Sequence, residues 1–249
     1  GTAFVIANPW DVGSARVLAS LGFQALATSS GASAGALGRR DGQLSRDEAL
    51  SHARAIVEAT DLPVSADLEN CFADAPATVA ETVRLAAGVG LAGCSVEDAT
   101  GKADAPVYDL GFAAERVASA VKAAKALPFP FTLTARTENF VRGRTDLADT
   151  IRRLQAYEQA GADVLMAPGL PDLEAVRAVC RALSKPFNFM AGIKGNSFSV
   201  ADLAACGVRR ISLAGSLHRA AMSGLIEAAR EVHQQGTFGY TDRGISTKE

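Results

Sequence analysis

Apolar runs of four to six residues alternate with stretches of helical period from one end of the chain to the other. The runs 3–7 (AFVIA), 25–28 (ALAT), 64–67 (VSAD), 94–97 (CSVE), 131–135 (FTLTA), 163–166 (DVLM), 187–190 (FNFM) and 211–214 (ISLA) predict strands. The stretches 12–21, 46–59, 76–88, 112–126, 146–160, 172–183, 199–206 and 217–234 predict helices. Ser45 and Glu48 read as a capping box, and Asp11 as the cap of the first helix. Strands alternating with helices imply parallel pairing through right-handed crossovers.

A weak repeat sharpens the pattern. Strands 2, 4, 6 and 8 are each entered through a glycine suited to a left-handed helix end: Gly22, Gly90, Gly161 and Gly207. Strands 3, 5 and 7 are entered through proline (Pro63, Pro128/Pro130, Pro186), which is tolerated where no ladder donor is yet needed. Eight such units in 249 residues predict a (β/α)8 barrel, an α/β fold of TIM type filling one domain, 1–249. The alternative is a doubly wound open sheet. It calls for a glycine-rich loop after strand 1, and ANPWDVGSA is not one.

Composition narrows the function classes. With 25 basic and 27 acidic residues there is no basic stripe for nucleic acid. No apolar run approaches the roughly 18 residues of a membrane span, so no membrane partner is expected. No signal peptide is visible, and the chain starts at Gly1-Thr2. The four cysteines, Cys71, Cys94, Cys180 and Cys206, show no CxxC spacing and read as reduced and buried, which predicts a cytoplasmic location. The segment SLHRAAMSGLIEAAREVHQQ has apolar residues on more than one side, with Leu217, Leu225 and Val232 flanked by Met222 and Ile226. A helix covering one barrel needs one stripe, so a homodimer or homotetramer is expected. The last residues, GISTKE, read as frayed or partner-bound.

In a barrel of this kind, polar residues at the C-terminal strand ends build the site. Strand 3 runs into Asp67 and Glu69, strand 4 into Glu97 and Asp98, strand 5 into Arg136 and Glu138, and the loop after strand 2 carries Asp41. Asp67 and Glu69, two apart on a strand, are expected on one face, where they repel unless a cation sits between them. Four carboxylates (Asp41, Asp67, Glu69, Glu97) with no histidine nearby form an oxygen shell suited to Mg2+ or Mn2+. The alternative makes them solvated loop residues or helix caps. Arg136 beside such an ion suggests an anionic substrate gripped from two sides. SSGASAG offers hydroxyls and flexible backbone amides for a carboxylate or phosphate. Asn188 on strand 7 completes the substrate-binding candidates.

TSSGAS, GRRDG, SADLEN, SVED and TARTE, in this order at the ends of strands 2–5, resemble the isocitrate lyase/phosphoenolpyruvate mutase superfamily. The resemblance runs from Phe4 to about Gly236. It implies a modified (β/α)8 barrel, Mg2+, a 2-oxo acid or its relative as substrate, an enolate-like intermediate, and tetramers with the eighth helix swapped. By position it makes Asp67 the direct metal ligand and Glu69 the second acid of a D-x-D, one methylene longer. Asp41 and Glu97 match water-mediated metal ligands, Arg136 the grip on the substrate's oxo end, and Ser30 with the amides of Gly31 and Ala32 the carboxylate site. The loop after strand 4 departs. EDATGKADAPVYDL lacks the lyases' K-K/R-C-G-H, and only Lys102 stands, one residue offset, for the lysine of the mutase branch. Ala167-Pro168 replaces that branch's histidine after strand 6, and FMAGIKG the lyases' polar trio after strand 7. The expected activity is therefore Mg2+-dependent cleavage or decarboxylation of a small oxaloacetate-like 2-oxo acid, with Arg136 and Lys102 as catalytic candidates. Phosphoenolpyruvate mutase-like or phosphonopyruvate-cleaving chemistry is the alternative, and a non-catalytic 2-oxo acid-binding barrel a third.

Overall fold

The computed structural model describes residues 2–195 and 197–246. Each apolar run overlaps a strand: β1 (Phe4–Ile6), β2 (Leu26–Ala27), β3 (Val64–Asp67), β4 (Gly93–Glu97), β5 (Thr132–Arg136), β6 (Val164–Met166), β7 (Phe187–Met190) and β8 (Arg210–Ser212). All pair in parallel, in the order β1-β8-β7-β6-β5-β4-β3-β2. The ring meets itself at a single parallel bridge, Ala7 to Leu26. The result is a nearly closed (β/α)8 barrel, and the open-sheet alternative falls. Asn8 supports the seam: its Nδ2 donates to the Thr28 carbonyl (3.0 Å) and its Oδ1 accepts from Leu213 N (2.8 Å).

The helices are α1 (Val12–Ser20), α2 (Ser30–Ala36), α3 (Arg46–Val57), α4 (Pro76–Gly88), α5 (Leu110–Lys125), α6 (Leu147–Gln159), α7 (Leu173–Ala182), α8 (Val200–Cys206) and α9 (Ser216–Gln235). Asp11 caps α1, and Ser45 with Glu48 closes a capping box on α3. Gly22, Gly90, Gly161 and Gly207 all take the left-handed conformation, φ between 87° and 107°. Two expectations change. SSGASAG is not a flexible loop, because residues 30–36 form α2. It has no apolar stripe and two glycines at roughly 1 kcal/mol each, yet Ala32, Ser33 and Ala34 are buried, so packing overrides propensity. Strand 8 ends at Ser212, because Ala214 turns the chain into α9 at φ 49°. Of the GISTKE tail, 244–246 is irregular and 247–249 lies outside the described residues.

Period-two alternation along the strands separates two environments. Val64, Ala66, Cys94, Val96, Leu133, Ala135, Phe187, Phe189 and Ile211 face the helices and form the core between the layers. Ser65, Asp67, Ser95, Thr134, Arg136, Asn188, Arg210 and Ser212 line the barrel interior. A barrel of this type ordinarily fills that space with branched apolar residues. Here polar residues share it with Ile6, Met166 and Met190, and most of the apolar burial lies in the outer annulus, where truncating a fully buried side chain such as Leu133 removes about 2–5 kcal/mol.

Candidate active site

The polar interior opens at the C-terminal ends of the strands. There a cavity of about 560 Å³ is lined by Ser30, Asp41, Gly42, Glu69, Glu97, Gly101, Arg136, Glu138, Val141 and Arg142. Arg136, on the last residue of β5, is its centre. Its Nη1 lies 3.6 Å from Asp67 Oδ2 and its Nε 3.4 Å from Glu97 Oε2, and Nε donates to Glu138 Oε1. Burial works against the guanidinium's charge, but Glu97, Glu138 and Asp67 together outweigh it and push Arg136 up. Arg142, on the short 3-10 helix Phe140–Arg142, adds a half-exposed cation, 3.5 Å from Glu138 and 3.9 Å from Glu97.

Asp67 is held on several sides. Its Oδ2 accepts from Ser30 N (3.3 Å) and Oγ (3.1 Å), its Oδ1 from Ser95 Oγ (3.3 Å) and Glu69 N (3.3 Å). The first turn of α2 is thus turned toward Asp67, with the Ser30 amide and hydroxyl on its carboxylate. Gly31 lies against Asp41: a Cβ there would stand 3.3 Å from the Asp41 Cγ and Oδ2. Ala32, the third candidate of that turn, is buried. Asp67 and Glu69 do not share a strand face as expected. β3 ends at Asp67, and Glu69 sits in a turn at φ 50°, followed by Cys71 and Phe72 at 61° and 57°. Glu69 reaches the cavity through this left-handed turn, a conformation rare for side-chain-bearing residues.

The charge balance favours a further cation. Burial, then the charges of Asp67 and Asp41, push the Glu69 carboxyl up to about 7, with Arg136 and Arg142 only partly offsetting them. Burial pushes Glu97 well up, Arg136 opposes it, and Glu138, Asp67 and Glu69 add to it. The all-oxygen donor set therefore fits a hard divalent ion in chemistry and in charge. The four acids are spread about the mouth: among the described residues no three His, Cys, Asp or Glu side chains converge closely enough to hold an ion.

Lys102 is not brought into this group. Residues 99–107 form a small hairpin, with a bridge between Ala99 and Val107 and Lys102 N donating to Thr100 Oγ1 (2.9 Å). Lys102 is exposed at its tip, while Gly101 lines the cavity. Asn188 lies deeper, inside the barrel, donating to Ser212 Oγ (3.0 Å).

Three residues support the site: Asp98, named from the sequence only as a strand-end acid, and Arg116 and Arg142, which the sequence reading missed. Asp98 accepts from Glu138 N (2.8 Å), Thr137 Oγ1 (2.9 Å), Tyr157 OH (2.6 Å) and Arg153 Nη1 (3.1 Å), anchoring the segment that presents Glu138. Arg116 is 1% exposed and donates to four carbonyls, those of Asn70, Ala73, Asp74 and Glu97, tying the left-handed turn to the end of β4. Its signal was legible: Arg116 falls on the apolar stripe Ala113, Val117, Ala120 of α5. Arg142, in VRGR, carried no signal.

Acids ringed around an arginine at the C-terminal mouth of a (β/α)8 barrel define an enzyme-like site for a small anionic substrate. The sequence model of the phosphoenolpyruvate phosphomutase family matches residues 1–233, and the chain belongs to that family and, with it, to the phosphoenolpyruvate mutase/isocitrate lyase superfamily. A crystal structure described as a candidate lyase/mutase from Burkholderia cenocepacia J2315 is 53% identical and superposes with a TM-score of 0.97 over 99% of this chain and 88% of the other. The 2,3-dimethylmalate lyase of the same superfamily superposes at 0.88 with 25% identity, covering 99% of this chain and 86% of that one. Oxaloacetate decarboxylase 2 of Pseudomonas putida (strain W619) is 28% identical over 239 residues, 94% of this chain and 77% of its own. The expectation of an enzyme of lyase type agrees with these relatives. No helix among the described residues is long and apolar enough to cross a membrane.

Proposed function

We propose that the protein is a divalent-cation-dependent lyase acting on a small oxaloacetate-like 2-oxo acid, breaking the carbon–carbon bond one carbon removed from the oxo carbon, so that an enolate is left at the oxo group. The observation that carries this reading is the set of strand-end acids around Arg136, whose member Glu69 is pushed up to about 7 by burial and by the charges of Asp67 and Asp41. Asp67, Glu69, Asp41 and Glu97 would hold Mg2+ or Mn2+. When bound, that ion supplies a Lewis acid for the substrate's oxo oxygen. Arg136 orients the same oxygen and stabilises the negative charge that develops on it, held in aim by Glu138 and Glu97. Ser30 and the first-turn amides of α2 present donors for the substrate carboxylate. Closure of the 99–107 hairpin, which adjoins the mouth through Gly101, would keep water out. The free thiols of Cys71, Cys94, Cys180 and Cys206 suit the reducing cytoplasm expected from the sequence. Phosphorus–carbon chemistry is the second reading, favoured by Arg142, a second cation at the rim suited to a more highly charged group.

Pyruvate release from oxaloacetate, measured with Mg2+ and with EDTA, tests the proposal. Metal-dependent turnover is expected, and Asp67→Ala should abolish it while the circular dichroism spectrum stays unchanged. Equal ligand affinity in EDTA would remove the metal. Affinity without turnover on any 2-oxo or phosphono acid would leave the barrel as a binding protein.

A further inference from the structure

Arg210 is an inward residue of β8, paired in register with Asn188 of β7 and Phe4 of β1. Its side chain reaches across the barrel interior. Nε donates to Asn188 Oδ1 (2.8 Å) and Nη2 to Thr134 Oγ1 (2.7 Å) on β5. Both acceptors are neutral. Among the described residues no carboxylate lies within ion-pair distance of Arg210, whereas Arg136 faces three and Arg142 two. Burial alone pushes Arg210 down to about 10, so at neutral pH it keeps its charge. A partly buried cation without an anion is poorly solvated, and an anion that visits it offsets that cost. Filling the barrel floor would need only an apolar side chain.

Beside Arg210 lies a cavity of about 50 Å³ that reaches out to Arg136 and Asp67. This is several times the roughly 10–15 Å³ that one water requires. Hydroxyls of Ser65, Ser95, Thr134 and Ser212 line it together with the apolar side chains of Ile6, Met166 and Met190, and its only acid is Asp67, at the outer end. Asn188 holds the arginine in place, accepting from Nε while donating to Ser212 Oγ (3.0 Å). A guanidinium has five N–H donors, and the described bonds use two of them. Thr134 stands two residues before Arg136 on β5, about 7 Å along the strand. A short dicarboxylate spans that interval.

We infer that this interior cavity is a second anion subsite, in which Arg210 takes the far carboxylate of a dicarboxylic 2-oxo acid whose oxo end is held at Arg136. The inference rests on the reading of the mouth as a 2-oxo acid site and narrows its substrate to the dianionic class. Asn188 and Thr134 act as positioning residues for Arg210.

Calorimetric titration with Mg2+ compares oxaloacetate with 2-oxobutyrate, which has the same chain length and one carboxylate fewer. The wild-type protein is expected to bind oxaloacetate at least about tenfold more tightly. Arg210→Met should erase that preference, weakening oxaloacetate about tenfold or more and changing 2-oxobutyrate by less than about twofold. Arg210→Lys, which keeps the charge but not the planar fork, should retain part of it. Equal weakening of both acids in Arg210→Met, or no preference in the wild type, overturns the inference and leaves the mouth reading intact. Failure of both acids to bind the wild type overturns both. Should Arg210→Met not fold, the wild-type ratio and Arg210→Lys decide alone.

Discussion

Arg116 shows how one side chain can set a site it does not line. Its guanidinium saturates carbonyls on both sides of the turn that carries Glu69, and its face stacks on Tyr108 at 4.2 Å. Arg116→Met leaves those buried carbonyls without donors, and each orphaned group costs about 1–3 kcal/mol. Urea denaturation should show a loss of roughly 3 kcal/mol or more, and a loss below about 1 kcal/mol would mean that the turn holds itself. Asp149 gives a pH-dependent counterpart. Burial opposes its charge, but hydrogen bonds from Asn139 and Arg153 bring it down to about 2 from the usual 3.8. The folded protein therefore holds the charged form more tightly than the unfolded chain does. That stabilisation is present above pH 3.8 and disappears as the pH falls through about 2. Melting temperatures should drop across this window in the wild type and drop less in Asp149→Asn. At this scale the sequence was readable wherever a polar residue ended an apolar run, as with Asp67, Glu97 and Arg136. Glu69 was located by the right motif and the wrong geometry, because a two-residue offset constrains direction only while the strand lasts.

Among the elements, those with a stripe and a cap were legible to within a residue or two, as α3 and α8 show. α2 was not, because Ser, Gly and Ala carry no periodicity and its stability comes from burial against neighbours. The 99–107 hairpin is rich in small residues and adjoins the mouth through Gly101. Its tip is exposed as described, so Lys102→Ala should leave kcat and kcat/KM within about twofold of wild type. A joint fall in both would show that the hairpin closes on the transition state.

Among the described residues, one helix is left largely uncovered beyond its first turn. No residue of α9 is buried, and Met222 (38%), Leu225 (58%) and Ile226 (44%) stand exposed on it. Beside its first turn runs an apolar groove of about 350 Å³, lined by Trp10, Val17, Leu18 and Leu217 among others. An apolar helix and an apolar groove on the same chain suit exchange between copies, as expected from the two-sided pattern of this segment. Light scattering at micromolar concentration should report a dimer or tetramer, and Leu225→Asp with Ile226→Asp should shift it toward monomer. A wild-type monomer would refute this assembly. The barrel itself was legible from the repeat of strand and helix. Its polar interior was less so, because Arg210 in VRRISLAG reads equally as a surface residue until the register places it inside.

The seam between β1 and β2 gives this ring one soft joint. Seven strand junctions carry registered ladders and the eighth carries a single bridge with the Asn8 amide beside it. A hoop so built does not deform evenly. Stress arriving anywhere on its circumference collects at the weakest link, much as a split washer flexes at its gap. Thr28, whose carbonyl Asn8 holds, also receives the Asp67 amide on its side chain (3.1 Å), so the joint adjoins the strand that bears the first acid of the mouth. An opening of that joint is passed, through the two bonds on Thr28, to the strand that carries Asp67.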